Sequence, residues 1–80
     1  MVFYVYLLEC SDKSYYCGYT SDLKRRVEEH NSGTGGKYTR TRTPVKLIYH
    51  EKCESRNLAL KRECEIKKFS RKKKNELFVK

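Results

Sequence analysis

Tyr6, Tyr16, Arg26, His30 and Glu63 are the residues of this chain whose types could share out the hydrolysis of a phosphodiester. That reaction needs a nucleophilic water, a group to take its proton, and positive charge on the phosphate as it becomes pentacoordinate. The two tyrosines offer phenols, Arg26 a permanent cation, His30 a proton carrier or phosphate ligand, and Glu63 a carboxylate for a metal. A free phenol ionises only near about pH 10, so either tyrosine acts as a base only with help from a metal or a cation. Each residue also has an ordinary structural use. Tyrosines pack well in any strand, the Arg26 stem can lie along a sheet, and His30 can finish a helix. Glu63 stands four residues before Lys67, as helical ion pairs do.

The elements that must position these groups are written in short patterned runs. Phe3 to Glu9 and Tyr15 to Tyr19 are rich in aromatic and branched residues and flank a polar break at Ser11, Asp12, Lys13 and Ser14, which predicts a β-hairpin. A loop of odd length puts Tyr6, Leu8, Tyr16 and Gly18 on one face; an even loop separates the tyrosines. Thr20, Ser21 and Asp22 are candidate N-caps for a helix that stops at Asn31, Ser32 and Gly33. Its inward stripe runs through Leu23, Arg26, Val27 and His30, leaving Lys24, Arg25, Glu28 and Glu29 to face away. Residues 32–43 (SGTGGKYTRTRT) read as a loop closed by Pro44, with Lys37, Arg40 and Arg42 as its cations.

Val45 to His50 predicts a third strand, and Ser55 opens a second helix to about Phe69 with Ala59, Leu60, Ile66 and Phe69 turned inward. Glu63 lies between Leu60 and Ile66, where a purely structural sequence would place an apolar residue. Ser70 can cap a last short helix through the basic tail that carries Lys72 and Lys73 and ends in Leu77, Phe78 and Val79.

Eighty residues leave room for one domain, 1–80, and a thin core, so an active site must be assembled near the surface from few elements. Nineteen Lys and Arg against ten Asp and Glu give +9, the footprint of a surface that meets a polyanion, nucleic acid before membrane. The longest apolar run, Val2 to Leu8, ends at Glu9 and is far shorter than a membrane span, and no basic leader or cleavage site precedes it. Cys10, Cys17, Cys53 and Cys64 make no Cys-x-x-Cys pair and stand at no zinc-finger spacing, so reduced thiols in a cytoplasmic protein are expected.

In their order the residues resemble the GIY-YIG nuclease family, and the likeness runs over nearly the whole chain. Tyr4-Val5-Tyr6 stands in the place of the first motif and Tyr16-Cys17-Gly18 in that of the second. Arg26, His30 and Glu63 follow, with the Gly-rich segment ending in Lys37-Tyr38-Thr39-Arg40 and then Pro44. Within the family the chain is similar to the short stand-alone bacterial proteins and to the nuclease half of the eukaryotic structure-selective endonuclease. Tyr4 replaces the first motif's glycine, Val5 and Cys17 replace its middle isoleucines, and the asparagine that follows the glutamate in some members has only Asn75 in its region.

The resemblance implies an α+β fold, a small three-stranded, mostly antiparallel sheet flanked by helices in the order β-β-α-β-α with a further short helix. It implies one Mg²⁺ or Mn²⁺ held by Glu63, Arg26 on the scissile phosphate, Tyr6 or Tyr16 as base or water orienter with Tyr6 favoured, and His30 in support. Lys37, Arg40, Arg42, Lys72 and Lys73 are expected to supply non-specific affinity for the nucleic acid. The expected activity is metal-dependent endonuclease cleavage of DNA in repair or recombination. The alternatives are a module of the same fold that binds without turnover or needs an activating protein partner, and, more distantly, a protein of structured RNA.

Overall fold

The computed structural model describes residues 2–78; Val79, expected among the apolar residues of the tail, lies outside them. Strand β1, Phe3–Glu9, is the centre of the sheet, with β2, Tyr15–Thr20, and β3, Lys46–Cys53, antiparallel to it on either side in the order β2-β1-β3. The sequence dictates that place. Val5, Tyr6, Leu7 and Leu8 are consecutive and all at most 1% exposed, and only a strand covered on both faces buries such a run.

The hairpin loop, residues 10–14, is odd in length and pairs Leu8 with Tyr16 and Tyr6 with Gly18, so these four residues share one face. It is held by Cys10 N–H donating to the Ser14 carbonyl at 2.8 Å and by Ser14 N–H donating to Asp12 Oδ1 at 3.1 Å. Helix α1, Leu23–Ser32, crosses that face; Leu23 and Val27 pack with Tyr6, Leu8, Cys10 and Val45. Of the three cap candidates Asp22 is the cap, accepting from Arg25 N–H at 3.1 Å, and Gly33 ends the helix.

The other face carries Val5, Leu7 and Cys17, against which Ala59 and Ile66 of α3, Arg56–Lys67, are packed. A bulge opposite Leu7 and Leu8 pairs them with Tyr49 and Leu47 and leaves Ile48 over. Ile48 and Tyr49 therefore both reach this second core while Leu47 turns to the first, which strict alternation from sequence could not foresee. Ser55 caps α3 and Ser70 caps α4, Arg71–Glu76, as expected. The helix expected to reach Phe69 ends at Lys67, with Phe69 N–H turned back onto the Ile66 carbonyl at 3.0 Å.

Two expectations need correcting. Residues 32–43 are not all loop, because Lys37–Arg40 form a single-turn helix, α2, with Thr39 buried beneath it. The third strand starts at Lys46 and runs on to Cys53, since Glu51, Lys52 and Cys53 keep pairing with Val5, Tyr4 and Phe3. No helix among the described residues is long and apolar enough to cross a membrane.

Candidate active site

His30 ends the inward stripe of α1 and is wholly buried. Its two ring nitrogens join elements far apart in sequence: Nε2 lies 2.9 Å from the Tyr6 hydroxyl of β1, and Nδ1 lies 2.6 Å from Thr39 Oγ1 of α2. The Tyr6 hydroxyl reaches this position by passing over Gly18, the paired residue on β2. A Cβ there would sit 2.6 Å from the Tyr6 oxygen and 3.2 Å from the Tyr16 ring, so only glycine fits this position of the second motif. Gly35 does the same on the far side, where a Cβ would lie 2.7 Å from both the backbone nitrogen and Nδ1 of His30.

Tyr16 is half-buried at the surface of the cluster, edge-on to His30 at 5.1 Å and stacked on Tyr38 at 5.7 Å and 26°. Tyr6 and Tyr16, interchangeable in sequence, are thus unequal. Tyr6 is 1% exposed and Tyr16 is the phenol that reaches solvent. Tyr4, standing where the first motif has glycine, begins the same face and packs edge-on to His50 of β3 at 6.1 Å, so its bulk is carried away from the cluster.

Arg26 lies one turn before His30 on α1, with its side chain 31% exposed. It donates through Nη1 to Glu29 Oε1 at 3.0 Å and through Nη2 to the Gly35 carbonyl. Glu29, expected to face away, instead sits at the rim of the cluster as the partner of this guanidinium. Burial pushes the Tyr6 phenol up to about 12, against the pull of the adjacent Arg26 guanidinium. Burial, followed by the same guanidinium, holds the His30 imidazole below its ordinary range. His30 is therefore neutral at neutral pH and can accept a hydrogen bond.

That burial has a thermodynamic consequence. The unfolded chain protonates His30 more readily than the folded one, so stability falls as the pH drops below about 6.5, the free imidazole value. Urea denaturation at pH 7, 6 and 5 is expected to show this loss already between 7 and 6, before carboxylates titrate.

The structure places the remaining predicted residues elsewhere. Glu63 is on α3, on the sheet-facing stripe with Ala59 and Ile66, and hence across the sheet from the tyrosines and His30. Its side chain is 14% exposed and pairs with Lys67 Nζ at 3.6 Å. Burial and the nearby Glu63 carboxylate push the Cys17 thiol of β2 up to about 12, which sets Glu63 against that strand. Lys37 and Arg40 are exposed on α2 beside the cluster. Arg42 is a brace: it donates to Asp12 Oδ2 at 3.0 Å and to the Tyr38 carbonyl at 2.8 Å, with its guanidinium 4.2 Å from the centre of the Tyr38 ring. Lys72 and Lys73 lie on α4, whose end packs on the α3 side, and Lys73 Nζ sits over Phe69 at 4.6 Å. The five expected nucleic-acid cations are therefore split between two faces. Thr39, Gly35 and Tyr38 were not singled out as site residues; their signal was the Gly-rich segment ending in Lys37-Tyr38-Thr39-Arg40 that carries part of the family resemblance.

A family model described as the GIY-YIG catalytic domain matches residues 2–76. The chain belongs to the GIY-YIG family. It is similar to a UPF0213 protein of Haloquadratum walsbyi, 58% identical over 74 residues, a match covering 92% of this chain and 83% of the relative. A UPF0213 protein of Staphylococcus saprophyticus is 50% identical over 74 residues, covering 92% and 90%. The solution NMR structure of the UPF0213 protein of Bacillus halodurans superposes with a TM-score of 0.61 at 48% identity, covering 96% of this chain and 82% of that one. A protein of E. faecalis, also solved by NMR, gives 0.65 at 49% identity over 95% and 81%. The α+β fold, β-β-α-β-α-α apart from the single-turn α2, is thus that of the GIY-YIG relatives, and the family is one of nucleases that generally use a divalent metal.

Glu63 fits such an ion in kind. A lone half-buried carboxylate is a hard oxygen donor, which suits a cation that keeps most of its waters, and Lys67 holds it only loosely at 3.6 Å. Among the described residues no three His, Cys, Asp or Glu side chains gather into a fuller ligand set.

Proposed function

We propose that this protein is a divalent-metal-dependent endonuclease that hydrolyses phosphodiester bonds in nucleic acid, DNA in particular, in a cytoplasmic repair or recombination role. One observation supports this above the others: a partly exposed arginine, a surface phenol and a buried neutral histidine converge on one face of a +9 chain.

Arg26 binds the scissile phosphate. Two of its five N–H groups go to Glu29 and the Gly35 carbonyl, one faces the Tyr6 oxygen, and the others meet the charge that grows on the phosphate oxygens in the transition state. Tyr16, the less buried of the two tyrosines, orients the attacking water with its hydroxyl. Tyr6 and His30 lie beneath as a fixed polar floor that aims Arg26. Glu63 would hold the ion, Mg²⁺ or Mn²⁺, which would supply water activation and offset phosphate charge. β2 is an edge strand whose successive residues Tyr16 and Cys17 face the two sides of the sheet, so a nucleic acid in touch with both Tyr16 and Glu63 lies across that edge. Lys37 and Arg40 flank its path and contribute affinity without sequence preference.

The test is cleavage of labelled branched, flapped, single-stranded and duplex DNA, and of RNA, by wild type and Glu63→Gln, with Mg²⁺, Mn²⁺ or EDTA. Metal-dependent cutting by wild type, with Glu63→Gln binding but not cutting, is the expected result. Binding in every lane with cutting in none would replace the nuclease with a binding module.

A further inference from the structure

Between Arg26 and α2 runs a line of polar groups, all but its ends buried, whose two ends bias the direction of the hydrogen bonds between them. At one end, Arg26 has only donors to offer and lies beside the Tyr6 oxygen. At the other, Thr39 Oγ1 stands 3.5 Å from the Gly36 carbonyl, which can only accept. Thr39 therefore donates to Gly36 and accepts from His30 Nδ1–H at 2.6 Å. The neutral ring then has a bare Nε2, which accepts from the Tyr6 hydroxyl at 2.9 Å and leaves the Tyr6 lone pairs to face the guanidinium. In the opposite tautomer Nε2–H would take a Tyr6 lone pair and turn the phenol's hydrogen toward Arg26, a group with nothing to accept it.

We propose that Thr39 is a positioning residue of the active site, fixing the His30 tautomer that makes Tyr6 an acceptor for Arg26. The chemistry fits a residue that touches neither substrate nor metal: Thr39 is wholly buried, and its hydroxyl is the partner of Nδ1 among the described residues. The site needs the tautomer because Arg26 is aimed by what accepts from it. Glu29 and the Gly35 carbonyl accept from it, and a Tyr6 oxygen whose lone pairs face the guanidinium limits its rotation about those two bonds. The inference rests on Arg26 as the phosphate-binding group, and its first measurement is independent of any cleavage.

The experiment is ¹⁵N NMR of the His30 ring in the full chain, alongside cleavage kinetics, for wild type, Thr39→Val and Thr39→Ser. In wild type Nδ1 is expected at a protonated shift and Nε2 at an unprotonated one; Thr39→Ser keeps the pattern, and Thr39→Val mixes the tautomers. On the preferred substrate Thr39→Val should lower kcat by about tenfold with KM little changed, the size of one lost buried hydrogen bond, and serine should restore it. A wild-type ring protonated on Nε2 overturns the proposal, as does a valine variant with unaltered tautomer and rate. If wild type cuts nothing, the nuclease reading fails and the NMR result alone decides whether Thr39 sets the tautomer. Should the valine variant not fold, wild type and Thr39→Ser still decide, since both must show the Nδ1–H form.

Discussion

Arg26→Ala is expected to lower kcat by about 10²- to 10³-fold, the usual cost of removing a donor preorganised against transition-state charge, with binding of the nucleic acid little altered. The reason lies in what surrounds the guanidinium. Hydrogen bonds to Glu29 and the Gly35 carbonyl hold it beside the Tyr6 hydroxyl, so in the proposed reaction little reorganisation would remain when charge grows on the phosphate. Affinity, by contrast, is expected from the whole +9 surface, of which Arg26 is one charge. Arg26→Lys should recover little, because a single ammonium cannot serve three acceptors and a phosphate at once. Single-turnover kinetics with a separate binding titration distinguish these effects. A variant that loses affinity and cleavage in proportion would make Arg26 a docking residue only.

The two tyrosines should part company when each is changed to phenylalanine. Tyr16→Phe keeps the stack on Tyr38 and the edge contact with His30, so its thermal stability should match wild type while kcat falls by about 100-fold. Tyr6→Phe removes a buried hydroxyl and leaves His30 Nε2 with no partner, at a cost of about 1–3 kcal/mol of stability. Its kcat should fall as well, because Arg26 loses an acceptor. Melting temperature and kcat measured together separate the roles. Loss of activity without loss of stability in Tyr6→Phe would return the water to Tyr6, against the burial seen here.

Much of this follows from the chain read alone. The aromatic and branched runs of Phe3–Glu9 and Tyr15–Thr20, and the capping residues before each helix, act over a few residues and settled which elements form; which side chains of the hairpin share a face waited on the loop, whose length is odd in the structure. That Tyr6 and Tyr16 share a face follows from strand parity once the loop is odd, and that Arg26 and His30 share one follows from the period of one helix; that the two pairs meet was implied only by the family resemblance.

What the sequence could not settle are the contacts that depend on how elements pack. Tyr6 and His30 meet across 24 residues and His30 and Thr39 across nine, and no local pattern distinguishes the Thr39 hydroxyl from that of any loop threonine. The bulge at Ile48 arises because two strands had to serve two cores, and it redirects one residue without any glycine or proline to announce it. Glu63 shows the division most plainly. Helical period alone turned it inward, but only the placement of α3 on the far side of the sheet from α1 decided that the carboxylate lies beyond β2, since two amphipathic helices can cover the same or opposite faces of a sheet buried on both.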